Sequence, residues 1–297
     1  MNNYETQNIE YPSLQTYLSN LHKLSTYDFS KSTYDKIYNI FHDLALTIPS
    51  LGAKLKMEGF NGFELFRVRM EKTISKIENM NSIQTFSFPP ASRCNFNGRA
   101  NISKRSVFYC TDEVIPAIKE CDGNIGDVGF IGVWNVQSKR ELKYMSCLPE
   151  VLPKSNHWEE FGRYHHNFLI EEQSNENEDL LAYKIALRKL ITDKFMMEKE
   201  PYSISSMLAN EYLYESDNDF ILYSSIQSFY DYTNFAFHPK SVVNHLSCKR
   251  IVKFKITNII NSQYIIDILL TGDANGNRLY WRKPTDQDCI DLGLIKK

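Results

Sequence analysis

Between Phe88 and Glu120 the chain reads FPPASRCNFNGRANISKRSVFYCTDEVIPAIKE, which sets a Gly98-Arg99-Ala100-Asn101 turn, the short β-like run Ser106 to Tyr109 and a helix-like segment carrying Glu120 one after another. Whatever the chain folds into must accommodate a cation on a turn, a phenol ending a strand and a carboxylate on a helix, and all three can face one cleft. Glycine lets the backbone ahead of Arg99 approach a ligand closely, and arginine offers a planar fork of donors that phosphate or ribose oxygens accept bidentately. The same four residues also suit an ordinary solvated turn.

The rest of the chain supplies a core for such a cleft. Hydrophobic residues make up 42% of the 297, so one large or two modest domains can form and the signature of disorder is absent. A formal charge of −2 gives no basic field for direct nucleic-acid binding. The N-terminus lacks a basic region followed by an apolar run, and no window approaches the length of a membrane span, so the sequence reads as cytoplasmic with no membrane partner. The six cysteines (94, 110, 121, 147, 248 and 289) form no CxxC pair or metal-like spacing, which fits reduced thiols.

Apolar residues recur at helical spacing in Leu14, Tyr17, Leu18 and Leu21, and again in Tyr34, Ile37, Ile40, Phe41 and Leu44, giving an all-helical prefix read as packing over one side of the core. Glu64 to Arg69 alternates as the first core strand and puts Arg67 and Arg69 on one face; Arg67 is a candidate second ligand cation or a strand arginine paired with a carboxylate. Val128 to Trp134 and Leu142 to Met145 read as strands paired with each other. Glycines 123, 126, 129 and 132 follow neither GxGxxG nor a Walker pattern and are read as bulges and turns. His157, His165 and His166 lack HExxH spacing, and adjacent histidines on a helix diverge by about 100°, so no metal is expected. The run Glu171 to Asp179 reads as a solvated connection before a helix from Leu180 to Met197. Near the C-terminus, Tyr264 to Leu270 and Arg278 to Trp281 flank a Thr271 to Asn277 turn as a β-hairpin. The division expected is a helical extension over 1–60, a core domain over 61–257 and a C-terminal hairpin appendage over 258–297.

Tyr109 lies ten residues after Arg99 (109−99) and Glu120 eleven after Tyr109 (120−109), and this spacing resembles the RES domain, named for its Arg, Glu and Ser. A second block continues the resemblance: Met207 to Leu213, then Asp219-Phe220-Ile221-Leu222-Tyr223-Ser224-Ser225, then Thr233-Asn234-Phe235-Ala236-Phe237. It makes Ser225 the family serine, with the adjacent Ser224 as the alternative. Two positions depart from the pattern: Phe220 stands where the family strand usually has glycine, and Ile115-Pro116-Ala117 replaces Thr-Ala before the glutamate. The proline fits only in the first turn of a helix.

The resemblance implies an α+β fold with an ADP-ribosyltransferase-like split β-sheet core that binds NAD between two small sheets. The implied activity is cleavage of the nicotinamide–ribose bond, with transfer to water, phosphate or a protein, as in toxins neutralised by a cognate antitoxin or immunity protein. On that reading Glu120 stabilises the ribosyl cation, Arg99 and Arg67 hold the diphosphate, and Tyr109 stacks on or hydrogen-bonds near the nicotinamide ribose. Ser225 orients Glu120 or the ribose, with Asn101 and Asn234 as further polar contacts. NAD is thus the substrate and no metal takes part. The competing reading is a non-enzymatic interaction protein in which the same groups form a structural polar network and an aromatic-rich surface, drawn from 18 Tyr and 18 Phe, meets a partner.

Overall fold

A computed structural model describes residues 10–49, 52–172, 178–224, 231–261 and 263–294. Among them ten strands share one sheet: β1 (Gly52–Leu55), β2 (Glu64–Met70), β3 (Phe108–Thr111), β4 (Val128–Val136), β5 (Leu142–Cys147), β6 (Phe220–Ser224), β7 (Thr233–Phe237), β8 (Leu246–Ile260), β9 (Gln263–Asn275) and β10 (Arg278–Arg282). Their order is β1-β5-β6-β7-β3-β2-β4-β8-β9-β10. Only β5 and β6 run parallel; the other neighbouring pairs are antiparallel. With the helices α1 (Leu14–Thr26), α2 (Tyr34–Ala45), α3 (Met57–Phe60), α4 (Val114–Lys119), α5 (Glu159–Glu172), α6 (Glu178–Met197), α7 (Ser203–Asn210), α8 (Pro239–His245) and α9 (Asp286–Asp291), the architecture is mixed α and β without regular βαβ units.

One joint in this sheet is weak. β2 pairs with β4 along its whole length, from Glu64 to Met70, yet meets β3 through the single pair Phe66 and Thr111. The sheet therefore consists of a half β1-β5-β6-β7-β3 and a half β2-β4-β8-β9-β10 that part at a seam.

Apolar residues on both faces of the first half explain its position in the core. Along β6, Phe220 and Leu222 enter one cluster with Phe60, Phe108, Trp158, Phe235 and Phe237, while Ile221 and Tyr223 enter another with Met145, Cys147 and Ala236. A strand buried on both faces needs an unbroken apolar run rather than an alternating one.

The second of those clusters is completed by the N-terminal helices. Ser13 caps α1 and Thr33 caps α2, each accepting a backbone N–H three residues on. Their inward stripes, Tyr17, Leu21 and Leu24 on α1 and Ile37, Phe41 and Ala45 on α2, are buried against α6 and α7. Leu18, expected on the apolar stripe, is 46% exposed. The Tyr34 hydroxyl donates to Glu211 and accepts from Asn210 Nδ2, joining α2 to the π-helical turn Glu211–Glu215 that follows α7.

Three expectations about strands are corrected. β4 and β5 do not pair: both edges of β4 are taken, by β2 and β8, and β5 lies between β1 and β6 in the other half of the sheet. The strand expected over Ser106 to Tyr109 sits two residues later: the Ser106 carbonyl accepts from the Tyr214 hydroxyl and its side-chain hydroxyl donates to the Pro89 carbonyl, so residue 106 is tied to loops rather than to a neighbouring strand. Thr271 to Asn275, expected in a turn, continue β9, and the reversal narrows to Gly276 and Asn277, with Gly276 at φ +57°.

Candidate active site

The seam opens into a cleft of about 440 Å3 lined by Arg67 and Val68 of β2, Tyr109, Cys110 and Thr111 of β3, Tyr223 of β6 and Asn234 of β7, with Gly98, Arg99, Glu120, Asp122, Glu200 and Tyr202 around them. Five of the seven residues singled out from sequence, Arg67, Arg99, Tyr109, Glu120 and Asn234, thus share one cavity.

The turn before β3 is built tightly. Gly98 and Asn101 exchange backbone hydrogen bonds, at 2.9 and 3.2 Å. The Tyr109 hydroxyl accepts from the Ala100 N–H and donates to Asn101 Oδ1, both at 2.8 Å. A Cβ on residue 98 would lie 2.5 Å from Asn101 Oδ1 and 2.8 Å from the Tyr109 oxygen, so this position takes glycine for want of space. Asn101 spends its amide on the carbonyls of Phe96 and Ile102. It therefore shapes the turn rather than lining the cleft, and the Tyr109 hydroxyl has its proton committed to Asn101.

Arg99 leaves this turn with Nη1 donating to the Phe195 carbonyl at 2.8 Å and its guanidinium carbon 5.0 Å from the centre of the Tyr202 ring. Arg67 is held differently. Its Nε donates to Ser87 O and its Nη1 to Tyr109 O at 2.9 Å, so it crosses the seam where the strands have little pairing of their own. Burial pushes its pKa down, although a guanidinium stays charged at any ordinary pH. The companion Arg69 pairs with Glu78 at 2.7 Å in a half-buried site.

Pro116 is the third residue of α4, within the first turn as its missing N–H requires. Glu120 closes that helix and is exposed on the cleft rim, with Asn234 Nδ2 donating to its Oε1 at 3.4 Å. Burial raises the Tyr109 phenol well above its ordinary range, so it is neutral. Ser225 lies outside the described residues. Ser224 is buried, and because Tyr223 faces the cleft the two-residue alternation of β6 turns Ser224 to the opposite face.

The cleft also contains residues that the sequence reading missed. Tyr202, Glu200, Asp122 and Cys121 come from segments between elements, and their side-chain types alone gave no signal. The histidines do not converge. His165 Nε2 meets the Tyr144 hydroxyl at 2.6 Å and burial pushes its pKa down to about 4, while His166 faces Glu150. Among the described residues no group of His, Cys, Asp and Glu could hold a metal ion, and no helix is long and apolar enough to cross a membrane.

Next to the lining residue Thr111, Asp112 accepts the Thr233 N–H at 3.3 Å, and burial pushes its carboxyl up to about 6. A carboxyl raised in the folded state favours folding below its unfolded pKa of 3.8, and that contribution is lost as pH rises through 6. Asp112→Asn keeps the acceptor oxygen and removes the titration. It is expected to gain on the order of 1–3 kcal/mol at about pH 8 and almost nothing at about pH 4. Melting curves of both proteins across that range check this; an equal gain at both ends would refute it.

A scan against protein-family models, a search of curated proteins and a search of solved structures each found no match.

Proposed function

We propose that the chain is an NAD-consuming enzyme of the RES type, with an ADP-ribosyltransferase-like core, that breaks the nicotinamide–ribose bond and acts as a toxin restrained by a cognate antitoxin or immunity protein. The observation that carries this reading is the meeting of Arg99, Tyr109, Glu120 and Asn234 in one cleft at the seam between two half-sheets, although Arg99 and Asn234 are 135 residues apart (234−99).

In the proposed reaction the bond between ribose C1′ and the pyridinium nitrogen breaks, and its electron pair leaves with nicotinamide. The ribose is left with cationic character, as in glycoside hydrolysis, so an ionised carboxylate close to the ring is the most valuable single group. Glu120 supplies it, held by Asn234 Nδ2. Water, phosphate or a protein side chain then forms the new bond to C1′, and a proton is released from that acceptor. Arg99 holds the diphosphate, and Arg67 adds positive potential from the cleft floor while it ties β2 to β3.

The Tyr109 ring walls the ribose site, and its hydroxyl holds the turn that presents Arg99. Asn101 acts on the ligand only through that turn. Ser225 retains its proposed role in orienting Glu120 or the ribose.

Kinetics of Arg99 variants test the binding half of this account. A charge-assisted contact is worth roughly 1.5–3 kcal/mol and a diphosphate contact is present before and during bond cleavage, so Arg99→Ala is expected to raise KM about 10- to 150-fold with kcat within a few-fold. Arg99→Lys should recover only part of the loss, because the fork is gone. A normal KM with lost turnover would contradict the assignment.

A further inference from the structure

We propose that Tyr202 is a positioning residue that fixes the Arg99 guanidinium for a diphosphate ligand, an inference resting on the NAD-cleaving reading above. Tyr202 sits between α6 and α7 with φ +52° and ψ +50°, the left-handed region that large side chains rarely adopt. A strained conformation persists only where its surroundings impose it, and such residues cluster at ligand sites. Here the surroundings are visible. Tyr202 donates its N–H to Lys199 O and accepts at its carbonyl from Ser206 N, while both carboxylate oxygens of Glu198 receive the N–H groups of Ile204 and Ser205.

That turn is also tied to the turn that carries Arg99. Asn97 Nδ2 reaches the Pro201 carbonyl, Arg99 Nη1 reaches the Phe195 carbonyl, and the Arg99 guanidinium lies over the Tyr202 ring. A carbonyl oxygen and a ring face fix the plane of a guanidinium without neutralising it, which leaves its charge to attract an anion. Helix capping alone does not require a tyrosine here, since glycine would adopt the same backbone angles without strain. What the tyrosine adds is the ring under Arg99 in the wall of the cleft. The ligand class is a diphosphate diester, as in a dinucleotide.

Three substitutions separate positioning from packing. Tyr202→Gly relaxes the backbone and removes the ring, Tyr202→Leu keeps bulk without a π face, and Tyr202→Phe keeps the ring without the hydroxyl. NAD turnover, and binding of NAD and inorganic pyrophosphate by calorimetry, are measured with melting curves for each. Gly and Leu variants are expected to raise KM and both dissociation constants about tenfold with kcat within threefold, and Phe to stay within twofold of wild type. Gly or Leu variants that bind like wild type would overturn the inference alone, as would a Phe variant as weak as the Gly variant. A wild type that binds neither NAD nor pyrophosphate would overturn the inference together with the reading on which it rests.

Discussion

Glu120→Gln is expected to yield a folded protein that has lost about 10²–10³ in the rate of nicotinamide release, the usual cost of removing one preorganised electrostatic group. Glutamine retains the size of the side chain and the oxygen that accepts from Asn234 Nδ2. Because residue 120 is exposed at the end of α4, the change in melting temperature should be small, corresponding to no more than about 0.5 kcal/mol. What glutamine lacks is the negative charge that opposes the ribosyl cation. The expected signature is therefore a fall in kcat with KM for NAD nearly unchanged, the opposite of the Arg99→Ala pattern. In a cell sensitive to NAD loss, the same substitution should relieve toxicity.

Phe41→Ala is expected to carry the largest stability cost, about 3–5 kcal/mol, against a total that rarely exceeds about 15 kcal/mol for a domain. Phe41 is fully buried, in the cluster where α1 and α2 meet α6, α7 and the sheet residues Met145, Ile221 and Tyr223. Tyr223 belongs to that cluster and also lines the cleft, so the helical prefix backs one wall of the candidate site. Removing the residues ahead of β1 would uncover the same cluster and should give insoluble chain. Thermal melting with circular dichroism checks the point variant; a loss below about 1 kcal/mol would mean that the cluster closes over the gap and that the prefix contributes little.

Much of this was legible because local chemistry and fold agree. Of the stripe expected on α2, Ile37 and Phe41 are buried and Tyr34, Ile40 and Leu44 pack half-buried against the same cluster; all belong to one segment, and neighbours three or four residues apart reveal it. The Gly98 turn was legible too, and the structure adds the reason, a gap too small for a Cβ beside the Tyr109 hydroxyl. Strand partnership was not legible. β4 and β5 are adjacent in sequence, and the choice of β2 and β8 as partners for β4 depends on contacts over long separations that no local pattern records. The direction of individual side chains was equally hidden. Nothing in the sequence distinguishes Asn101, whose amide turns into its own loop, from Asn234, whose amide reaches Glu120. Tyr202 escaped notice because its left-handed backbone is imposed by Glu198, Lys199 and Ser206 rather than by any preference of tyrosine.

The most direct measurement is the fate of NAD incubated with the purified wild-type protein, with nicotinamide and the ADP-ribosyl product quantified together over time. Nicotinamide is expected to accumulate catalytically and in step with NAD loss, with the ADP-ribosyl moiety recovered free, as its 1″-phosphate or on protein. NAD left intact by a folded protein, in phosphate and in the presence of candidate protein acceptors, would contradict it and favour a cleft whose polar groups serve an interaction protein.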